Sequence, residues 1–315
     1  MQQRTLGATG LKVSRLGLGT MTWGRDTDEH EARDQLIAFA EAGGTLIDTA
    51  AGYGDGAAER LVGSLIGDVV ARDEIVLSTK AGISRRTGRR ELNTSRGHLL
   101  RTLDASLARL GTDAVDLWQV HIWSDETPLE ETLTALDLAV SSGRAAYVGV
   151  SNYAGWQTAQ AATWQRAVPG RAALASTQVQ YSLLNRDVEH EVLPAAGALG
   201  LGVLAWSPLA GGVLTGKYRT GTPSDSRGAE RDFAARIDSY LDDHGRAVVE
   251  AVARAAEGLG WTPLEVALAW VRDRPGVTAP IVGARTAAQL RGSLSVEDKT
   301  LPAEIADALD DVSEG

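Results

Sequence analysis

Four residues of the sequence carry side chains that can together deliver a proton to a reacting oxygen. Asp48, Lys80 and His121 each end an apolar run of strand length, and Tyr53 follows Asp48 in the stretch "IDTAAGYG". A tyrosine can protonate a developing alkoxide only if its pKa, about 10 when unperturbed, is brought towards the working pH. A lysine ammonium does this by favouring the phenolate, and a carboxylate holds the ammonium in place. A histidine can then orient the substrate oxygen, so the set favours carbonyl reduction over hydrolysis.

Each of these residues has a plainer structural interpretation when it is taken alone. Asp48 would be a loop or helix-capping aspartate, and Lys80 a strand-end lysine with its charge in solvent. His121 would be a hydrogen-bonded core histidine, and Tyr53 an ordinary loop aromatic. The catalytic interpretation is favoured because all four converge on one end of the predicted fold.

The elements that must position these residues alternate between helices and strands along the whole chain. Amphipathic segments such as "DEHEARDQLIAFAEAGG", "SRGHLLRTLDASLARLG" and "PLEETLTALDLAVSSG" close on glycine, as helix C-termini prefer. Short apolar runs such as "IVLSTK" and "GVLAWS" are typical of parallel strands covered on both faces. The predicted strands are residues 15–19, 45–49, 75–80, 115–121, 146–151, 173–179, 202–207 and 279–283.

This alternation predicts an α/β fold, a single (β/α)8 TIM barrel domain over residues 1–315. An N-terminal β-hairpin ("QRTL", turn "GATG", then "LKVSRL") precedes the first barrel strand. A long loop, residues 211–243, follows strand seven, and a loop of that length in a compact domain is usually functional. Because barrel chemistry lies at the C-terminal strand ends, the residues there are site candidates. They are Asp48, Lys80, His121, Ser151, Asn152, Gln178, Trp206 and Gly283.

The composition excludes several classes of protein and site. The chain has 315 residues, 43% hydrophobic and 23% charged, as a globular protein with a sizeable core has. Its 31 basic and 41 acidic residues give a net charge of −10, which argues against nucleic-acid and anionic-membrane partners. There are no cysteines, so disulfides, thiolate zinc sites and cysteine nucleophiles are excluded. We predict no metal site and a small carbonyl compound as the partner.

The chain shows no targeting or membrane signal. Its N-terminus, "MQQRTLGATG", lacks the basic and apolar regions of a signal peptide, and no apolar run reaches the length of a membrane span. We therefore expect a cytoplasmic protein. One basic cluster, Arg85, Arg86, Arg89 and Arg90, is interpreted as a solvated loop in preference to a phosphate-binding patch.

A series of motifs resembles the aldo-keto reductase family nearly from end to end. In chain order they are "IDTAAGYG", "LSTK", "DLWQVH", "GVSNY", "TQVQYSLLNR", "WSPLAGGVLTGKY" and "PIVGAR". The resemblance implies an NAD(P)H-dependent oxidoreductase with the catalytic tetrad Asp48, Tyr53, Lys80 and His121. The stretch "SPLAGGVLTGKY" is most similar to the branch that includes potassium-channel β subunits and bacterial open-chain reductases.

The same resemblance implies the residues that hold the cofactor. Trp206 would stack on the nicotinamide, where the family often has tyrosine, and Arg285 could pair with a 2′-phosphate, which favours NADPH over NADH. As an alternative, Arg285 is an arginine on an exposed turn. Ser293 stands where an asparagine commonly contacts adenine, so that contact is not expected. The full cofactor set comprises Gly19, Thr20 and Asp48; Ser151, Asn152 and Gln178 for the carboxamide; Trp206; Ser207, Leu209, Gly211 and Lys217 for the pyrophosphate; and Gly283, Arg285 and Gln289 for the adenosine.

A G-x-G-x-x-A pattern at Gly52, Gly54 and Ala57 suggests a dinucleotide fingerprint but lies in the wrong place for one. A Rossmann fingerprint belongs in the first β-α unit, with an acidic residue ending the next strand. Here the pattern lies in the second unit, and the next strand ends on Lys80. The glycines are therefore interpreted as turn residues that carry Tyr53 to the barrel mouth.

Two other functions compete with carbonyl reduction. The likeness to channel subunits allows a redox-sensing regulatory protein on the same fold and cofactor. A barrel hydrolase or isomerase using Asp48 and His121 is weaker, because it leaves Lys80 and Trp206 without a role. For the substrate pocket, Trp23 and Trp123 are predicted to form an apolar wall, or else to pack under the loops. Residues 82–92, "GISRRTGRREL", contain no aromatic residue, so that side of the pocket is expected to be polar or mobile. Sugar, pyridoxal-like and aromatic aldehydes all fit these features, and the oligomeric state stays open.

Overall fold

Eight parallel strands close into a barrel in the computed structural model, which describes residues 1–84, 89–224 and 226–314. Each strand pairs with the next along the chain, and the last pairs with the first, where Gly283 lies opposite Gly19. The predicted strands are confirmed, with ends shifted by about one or two residues. They are β1 (Gly17–Gly19), β2 (Leu46–Asp48), β3 (Val76–Ala81), β4 (Val115–Val120), β5 (Ala145–Ser151), β6 (Leu174–Gln180), β7 (Gly202–Trp206) and β8 (Val277–Gly283).

Helices surround the barrel and begin where the sequence supplies caps. Asp28 accepts a hydrogen bond from the backbone of Glu31, and Thr262 forms a capping box with Glu265. The predicted glycine stops are confirmed at Gly111, which has a φ of 65°. In the described residues the helices are α1 (Glu29–Glu41), α2 (Ala57–Leu65), α3 (Arg96–Leu110), α4 (Leu129–Ser141), α5 (Gly155–Ala167), α6 (Val192–Ala198), α7 (Arg231–Asp238), α8 (Asp243–Leu259), α9 (Pro263–Arg272), α10 (Ala287–Leu294) and α11 (Ala303–Ser313). None of these described helices has the length and apolar character needed to cross a membrane.

The predicted N-terminal hairpin is present and covers the end of the barrel where the strands begin. Its strands, Gln3–Thr5 and Lys12–Ser14, pair in antiparallel fashion. Leu6 and Val13 are fully buried and pack with barrel-interior residues such as Leu117 and Leu204. Since the hairpin fills this end, the opposite end, where the strands stop, is the one that a small molecule can reach.

Two segments at the strand ends are more ordered than the sequence indicated. The long loop after β7 contains a 3-10 helix, Ala210–Thr215, and the helix α7. After β3, the pair Ile83–Ser84 and Glu91–Leu92 forms a small antiparallel ladder. Of the predicted basic cluster, Arg89 and Arg90 are exposed, whereas residues 85–88, with Arg85 and Arg86, lie outside the described residues.

Candidate active site

An ion pair between Lys80 and Asp48 lies at the centre of the barrel mouth. The Lys80 Nζ donates to Asp48 Oδ2 over 2.6 Å and to the backbone carbonyl of Thr49 over 2.9 Å. Both side chains are at most 2% exposed. A buried charge is stable only when it is paired and hydrogen-bonded, so each of these two groups requires the other. The structure thus brings together β2 and β3 as the sequence predicted.

Asp48 is held from beneath by a chain of buried polar side chains that crosses the barrel interior. Its Oδ1 accepts from Ser78 Oγ at 3.1 Å and from Gln178 Nε2 at 2.9 Å. Ser78 in turn accepts from Gln119 Nε2 at 3.1 Å. Sequence reasoning missed Ser78 and Gln119, although a signal existed. They precede Lys80 and His121 by two positions, and residues two apart on a strand share a face.

Tyr53 lies over this ion pair on a tight turn. It opens the turn Tyr53–Gly56, in which Gly54 and Gly56 have φ values of 55° and 83°. Such angles favour glycine, which confirms the interpretation of the glycine pattern as a turn. The Lys80 Nζ is 5.2 Å from the centroid of the Tyr53 ring, and the His121 ring packs edge-on at 5.8 Å.

The pKa of Tyr53 differs from the sequence-based expectation. Burial raises the pKa of Tyr53, and Lys80 lowers it without reversing the net increase. The phenol therefore stays protonated at neutral pH, which is the form that a general acid needs. Burial lowers the pKa of Lys80, but Asp48 and Tyr53 outweigh that effect and raise it overall. Lys80 thus remains an ammonium that can stabilise the phenolate left by proton transfer.

His121 is held in its neutral form. Burial, then the charges of Lys80 and Arg90, put the pKa of His121 well below its ordinary value. Its Nδ1 is buried and has no hydrogen-bond partner among the described residues. An unpaired acceptor is less costly than an unpaired N–H, so the geometry favours the tautomer with the proton on Nε2. That nitrogen is then available to donate to a substrate oxygen.

The depressed pKa of His121 predicts a loss of stability as the pH falls from 7 to 5. Below about 6.5 the unfolded chain binds a proton at His121 that the folded chain does not bind. The unfolded state therefore binds more protons, and the free energy of unfolding decreases with decreasing pH. We expect urea denaturation at pH 7 and pH 5 to show that His121→Gln loses less unfolding free energy between these pH values than the wild type does. The control variant His244→Gln replaces an exposed histidine and should lose as much unfolding free energy as the wild type. If His121→Gln also loses as much as these two proteins, the role given to His121 is contradicted.

The ends of β5, β6 and β7 are joined by hydrogen bonds among the residues predicted for the carboxamide. Ser151 Oγ donates to the Gln178 carbonyl at 2.9 Å, and Asn152 Nδ2 donates to the His121 carbonyl at 2.9 Å. The indole N–H of Trp206 donates to Asn152 Oδ1 at 3.0 Å. These bonds fix Trp206 relative to His121, and Gln178 Oε1 accepts no hydrogen bond from the described residues.

Backbone strain collects at the same end of the barrel. Within the described ranges, the non-glycine residues with positive φ are Asp55, Asn152, Ser207 and Ala210, all just after barrel strands. Sparsely populated backbone angles of this kind cluster at functional sites. Gly211 and Gly212 follow with φ values of 68° and 96°, which glycine adopts without strain, and a side chain at Gly212 would meet the Lys217 Nζ at 2.9 Å. Leu209 lies partly exposed in this segment. The Lys217 ammonium and the turning backbone amides lie together here, as an anion site requires.

Residues predicted for the adenosine end meet the insertion after β7. Arg285 pairs with Glu230 at 2.8 Å, and its backbone N–H donates to Gln289 Oε1 at 3.0 Å. Burial, and then the charge of Arg285, lower the pKa of Arg227. Ser293 is buried and donates to the Gln289 carbonyl. Gly283 is exposed beside this group.

The insertion also contributes a residue that sequence reasoning missed. The Arg236 guanidinium lies over the Trp206 indole, 4.8 Å from the ring centroid. Arg236 lies on α7, and Arg227 and Glu230 lie in the same insertion just before this helix. On the other side of the mouth, Thr20 is fully buried and its backbone N–H donates to the Asp48 carbonyl at 3.0 Å, next to Gly19.

The two tryptophans predicted for the substrate wall lie in different environments. Trp23 is fully buried, and its indole N–H donates to Gln35 at 3.1 Å, so it supports the mouth from beneath. This burial argues against the predicted contact between Trp23 and a substrate. Trp123 is partly exposed, and its ring packs edge-on against both Tyr153 and Trp156. Within the described part of the chain, no cluster of side chains could hold a metal ion.

Comparison with known proteins identifies the family of this chain. A sequence model of the Aldo/keto reductase family matches residues 15–314. The chain is 40% identical to an uncharacterized oxidoreductase, YrpG, of Bacillus subtilis, over 100% of this chain and 97% of that one. It is 35% identical to a probable voltage-gated potassium channel subunit beta of rice (Oryza sativa subsp. japonica), over 99% and 96% of the two chains. Identity to the L-glyceraldehyde 3-phosphate reductase of Escherichia coli K12 is 35%, over 92% and 86%. The protein is therefore an oxidoreductase that belongs to the aldo/keto reductase family.

Proposed function

We propose that the protein reduces an aldehyde or ketone to an alcohol, using NADPH and the proton of Tyr53. The observation that carries the proposal is the buried ion pair of Lys80 and Asp48 beneath the Tyr53 ring. A paired ammonium directed at a phenol serves to stabilise a phenolate. Such stabilisation is useful only if the tyrosine gives up its proton during the reaction.

Each residue of the tetrad has one role in this reaction. Tyr53 donates its hydroxyl proton to the carbonyl oxygen, and Lys80 stabilises the resulting phenolate. Asp48 keeps the Lys80 ammonium in position, since the two are 2.6 Å apart. Neutral His121 donates a hydrogen bond from Nε2 to the same oxygen and orients the carbonyl. When bound, NADPH supplies the hydride.

The residues at the mouth fit a nicotinamide dinucleotide. Trp206 offers an aromatic face, and Gln178 Oε1 offers an acceptor for the carboxamide beside Ser151 and Asn152. The strained backbone around Gly211, with Lys217, suits a pyrophosphate. Gly19 and Thr20 complete the floor beside Asp48. A cytoplasmic location is proposed as well, because a chain without cysteine needs no oxidising compartment.

The preference for NADPH is assigned to Arg285, with Arg227 beside it. A guanidinium binds a phosphate through two parallel hydrogen bonds, and a charged hydrogen bond of this kind contributes about 1.5–3 kcal/mol. The Arg285→Ala variant should therefore bind NADPH about 10- to 100-fold more weakly, with NADH affinity almost unchanged. Titration with NADPH and with NADH, monitored by tryptophan fluorescence, measures both affinities.

The matched control for this titration is Arg291→Ala. Arg291 lies exposed on α10, so the variant loses the same charge without losing a contact at the mouth. It should retain the wild-type affinity for both cofactors. A similar weakening of NADPH and NADH in Arg285→Ala would show that this residue does not select the 2′-phosphate.

A second candidate function is a regulatory subunit that uses the same cofactor as a redox sensor. One observation favours it, the 35% identity to a protein named as a probable potassium channel subunit beta. The two candidates differ in turnover. A sensor would release product once per bound cofactor, whereas repeated turnover of a carbonyl in excess NADPH supports the enzyme.

A further inference from the structure

We propose that Trp156 and Trp123 form an aromatic wall that selects carbonyl substrates bearing an aromatic ring. The inference rests on the proposed function, since it names the class of substrate for the same site. The aromatic wall comprises the Trp123 and Trp156 rings, with Tyr153 behind them. Trp156 is thereby a specificity-determining residue that contacts the substrate ring.

The wall adjoins the reacting groups along the chain. Trp123 follows His121 by two positions in the loop after β4. Trp156 is the second residue of α5, and it lies at the mouth because barrel helices begin near the C-terminal ends of the strands. The Trp123 and Trp156 ring centroids are 5.4 Å apart at an interplanar angle of 66°. A substrate whose carbonyl reaches His121 therefore extends past these rings.

The wall is rigid before any substrate arrives. Tyr153 is 3% exposed, and its ring packs edge-on against Trp123 at 5.1 Å. The Trp123 indole N–H donates to Asp125 at 2.7 Å, which fixes the ring orientation. At the start of α5, a side chain on Gly155 would lie 2.4 Å from the Glu191 Cβ, so this helix end is tightly packed against the next segment. Preorganised contacts reduce the entropy lost on binding.

Exposure distinguishes Trp156 from the other tryptophan on the same helix. Trp156 is 57% exposed, and Trp164 is 38% exposed. An exposed tryptophan alone needs no explanation, but Trp156 packs against Trp123, which lies two residues after His121. Trp164 lies roughly 12 Å further along the helix, with the Arg171 guanidinium 5.9 Å from its ring centroid. Trp164 is therefore the natural control.

The chemistry of the wall indicates what it binds. Aromatic rings attract one another in edge-to-face or offset arrangements beyond the effect of area burial. A third ring placed on Trp156 would cover the exposed indole face and gain this attraction. A short aliphatic aldehyde reaches Tyr53 and His121 but leaves the face in water. The wall thus favours a bicyclic or monocyclic aromatic aldehyde over a small aliphatic one.

The test compares 2-naphthaldehyde with butanal in the wild type and three variants. We expect Trp156→Ala to raise KM for 2-naphthaldehyde about tenfold with little change in kcat, and to leave butanal unaffected. Trp156→Phe, which keeps a ring, should restore most of the loss. Trp164→Ala should behave as the wild type with both aldehydes. Equal changes for both aldehydes in Trp156→Ala, or no change for either, would overturn the proposal.

A binding measurement separates this inference from the proposed reaction. Isothermal titration calorimetry with 2-naphthalenemethanol requires no turnover, and Trp156→Ala should bind it about tenfold more weakly than the wild type. Equal affinities, or no binding to the wild type, would overturn the aromatic wall. If the affinity falls but no carbonyl is reduced, the wall stands and the proposed reaction fails. If carbonyls are reduced but the wild type and Trp156→Ala bind the alcohol equally well, the proposed reaction stands and the aromatic wall fails.

Discussion

Replacing Tyr53 with phenylalanine is expected to lower kcat by about 10²- to 10⁴-fold, the range that a positioned general acid contributes. The variant keeps the ring that packs against His121 at 5.8 Å, so the shape of the mouth is preserved. It loses only the hydroxyl, and with it the proton that the carbonyl oxygen receives. Affinity for NADPH should stay at the wild-type level, because the predicted cofactor contacts do not include the Tyr53 hydroxyl. Steady-state kinetics measures kcat, and a fluorescence titration measures the affinity for NADPH.

The control for this variant is Tyr147→Phe. Tyr147 lies partly buried in β5, near the N-terminal turn at Gly10 and therefore at the opposite end of the barrel. Removing its hydroxyl makes the same chemical change away from the mouth and should leave kcat unaltered. Full turnover by Tyr53→Phe would show that the proton comes from another group. A parallel loss in Tyr147→Phe would show that the effect is structural.

Replacing Lys80 with methionine is expected to affect both activity and stability. The change leaves the Asp48 carboxylate buried and unpaired, and breaking a buried ion pair in this way costs about 3–5 kcal/mol. Turnover should fall as well, because the phenolate of Tyr53 loses its neighbouring ammonium. Urea denaturation measures the stability, and kcat on an aldehyde measures the activity. The double variant Asp48→Asn, Lys80→Met removes both charges and should recover part of the stability but none of the activity.

The raised pKa of Lys80 gives this prediction a dependence on pH. In the folded chain Lys80 binds its proton more tightly than in the unfolded chain, so its contribution to stability is fully present below the unfolded pKa, about 10.5. The contribution is lost as the pH rises through the folded pKa. The difference in unfolding free energy between the wild type and Lys80→Met should therefore shrink at strongly alkaline pH. A Lys80→Met variant as stable as the wild type at pH 7 would contradict the role of the ion pair.

The meeting of Asp48, Lys80 and His121 could be predicted from the sequence because strand ends can be located from the hydrophobic pattern alone. In a closed parallel barrel, every strand delivers its last side chains to one mouth, so Asp48, Lys80 and His121 had to meet there. The hydrogen bond between Ser78 and Gln119 could be predicted from the same geometry. That prediction requires the two-residue period of strands to be applied to polar residues inside a barrel.

Other features depend on tertiary structure and leave no local signal. Arg227, Glu230 and Arg236 reach the mouth only through the fold of the insertion, whose helix α7 was expected to be loop. For Trp23 the sequence leaves open a substrate wall or packing under the loops, and the structure shows the second, with the ring turned inward to Gln35. The pKa of Tyr53 depends on a competition between burial and the Lys80 charge, and burial prevails only once the surrounding side chains are in place.

The central claim is that this chain moves hydride from NADPH to a carbonyl carbon while Tyr53 protonates the oxygen. The most direct test uses NADPH with both C4 hydrogens of its nicotinamide replaced by deuterium, with benzaldehyde as the acceptor. Proton NMR of the product should show benzyl alcohol with one deuterium on the carbinol carbon, formed by the wild type and almost absent with Tyr53→Phe. Alcohol without deuterium, or bound NADPH that never yields alcohol from any aldehyde offered, would contradict the account.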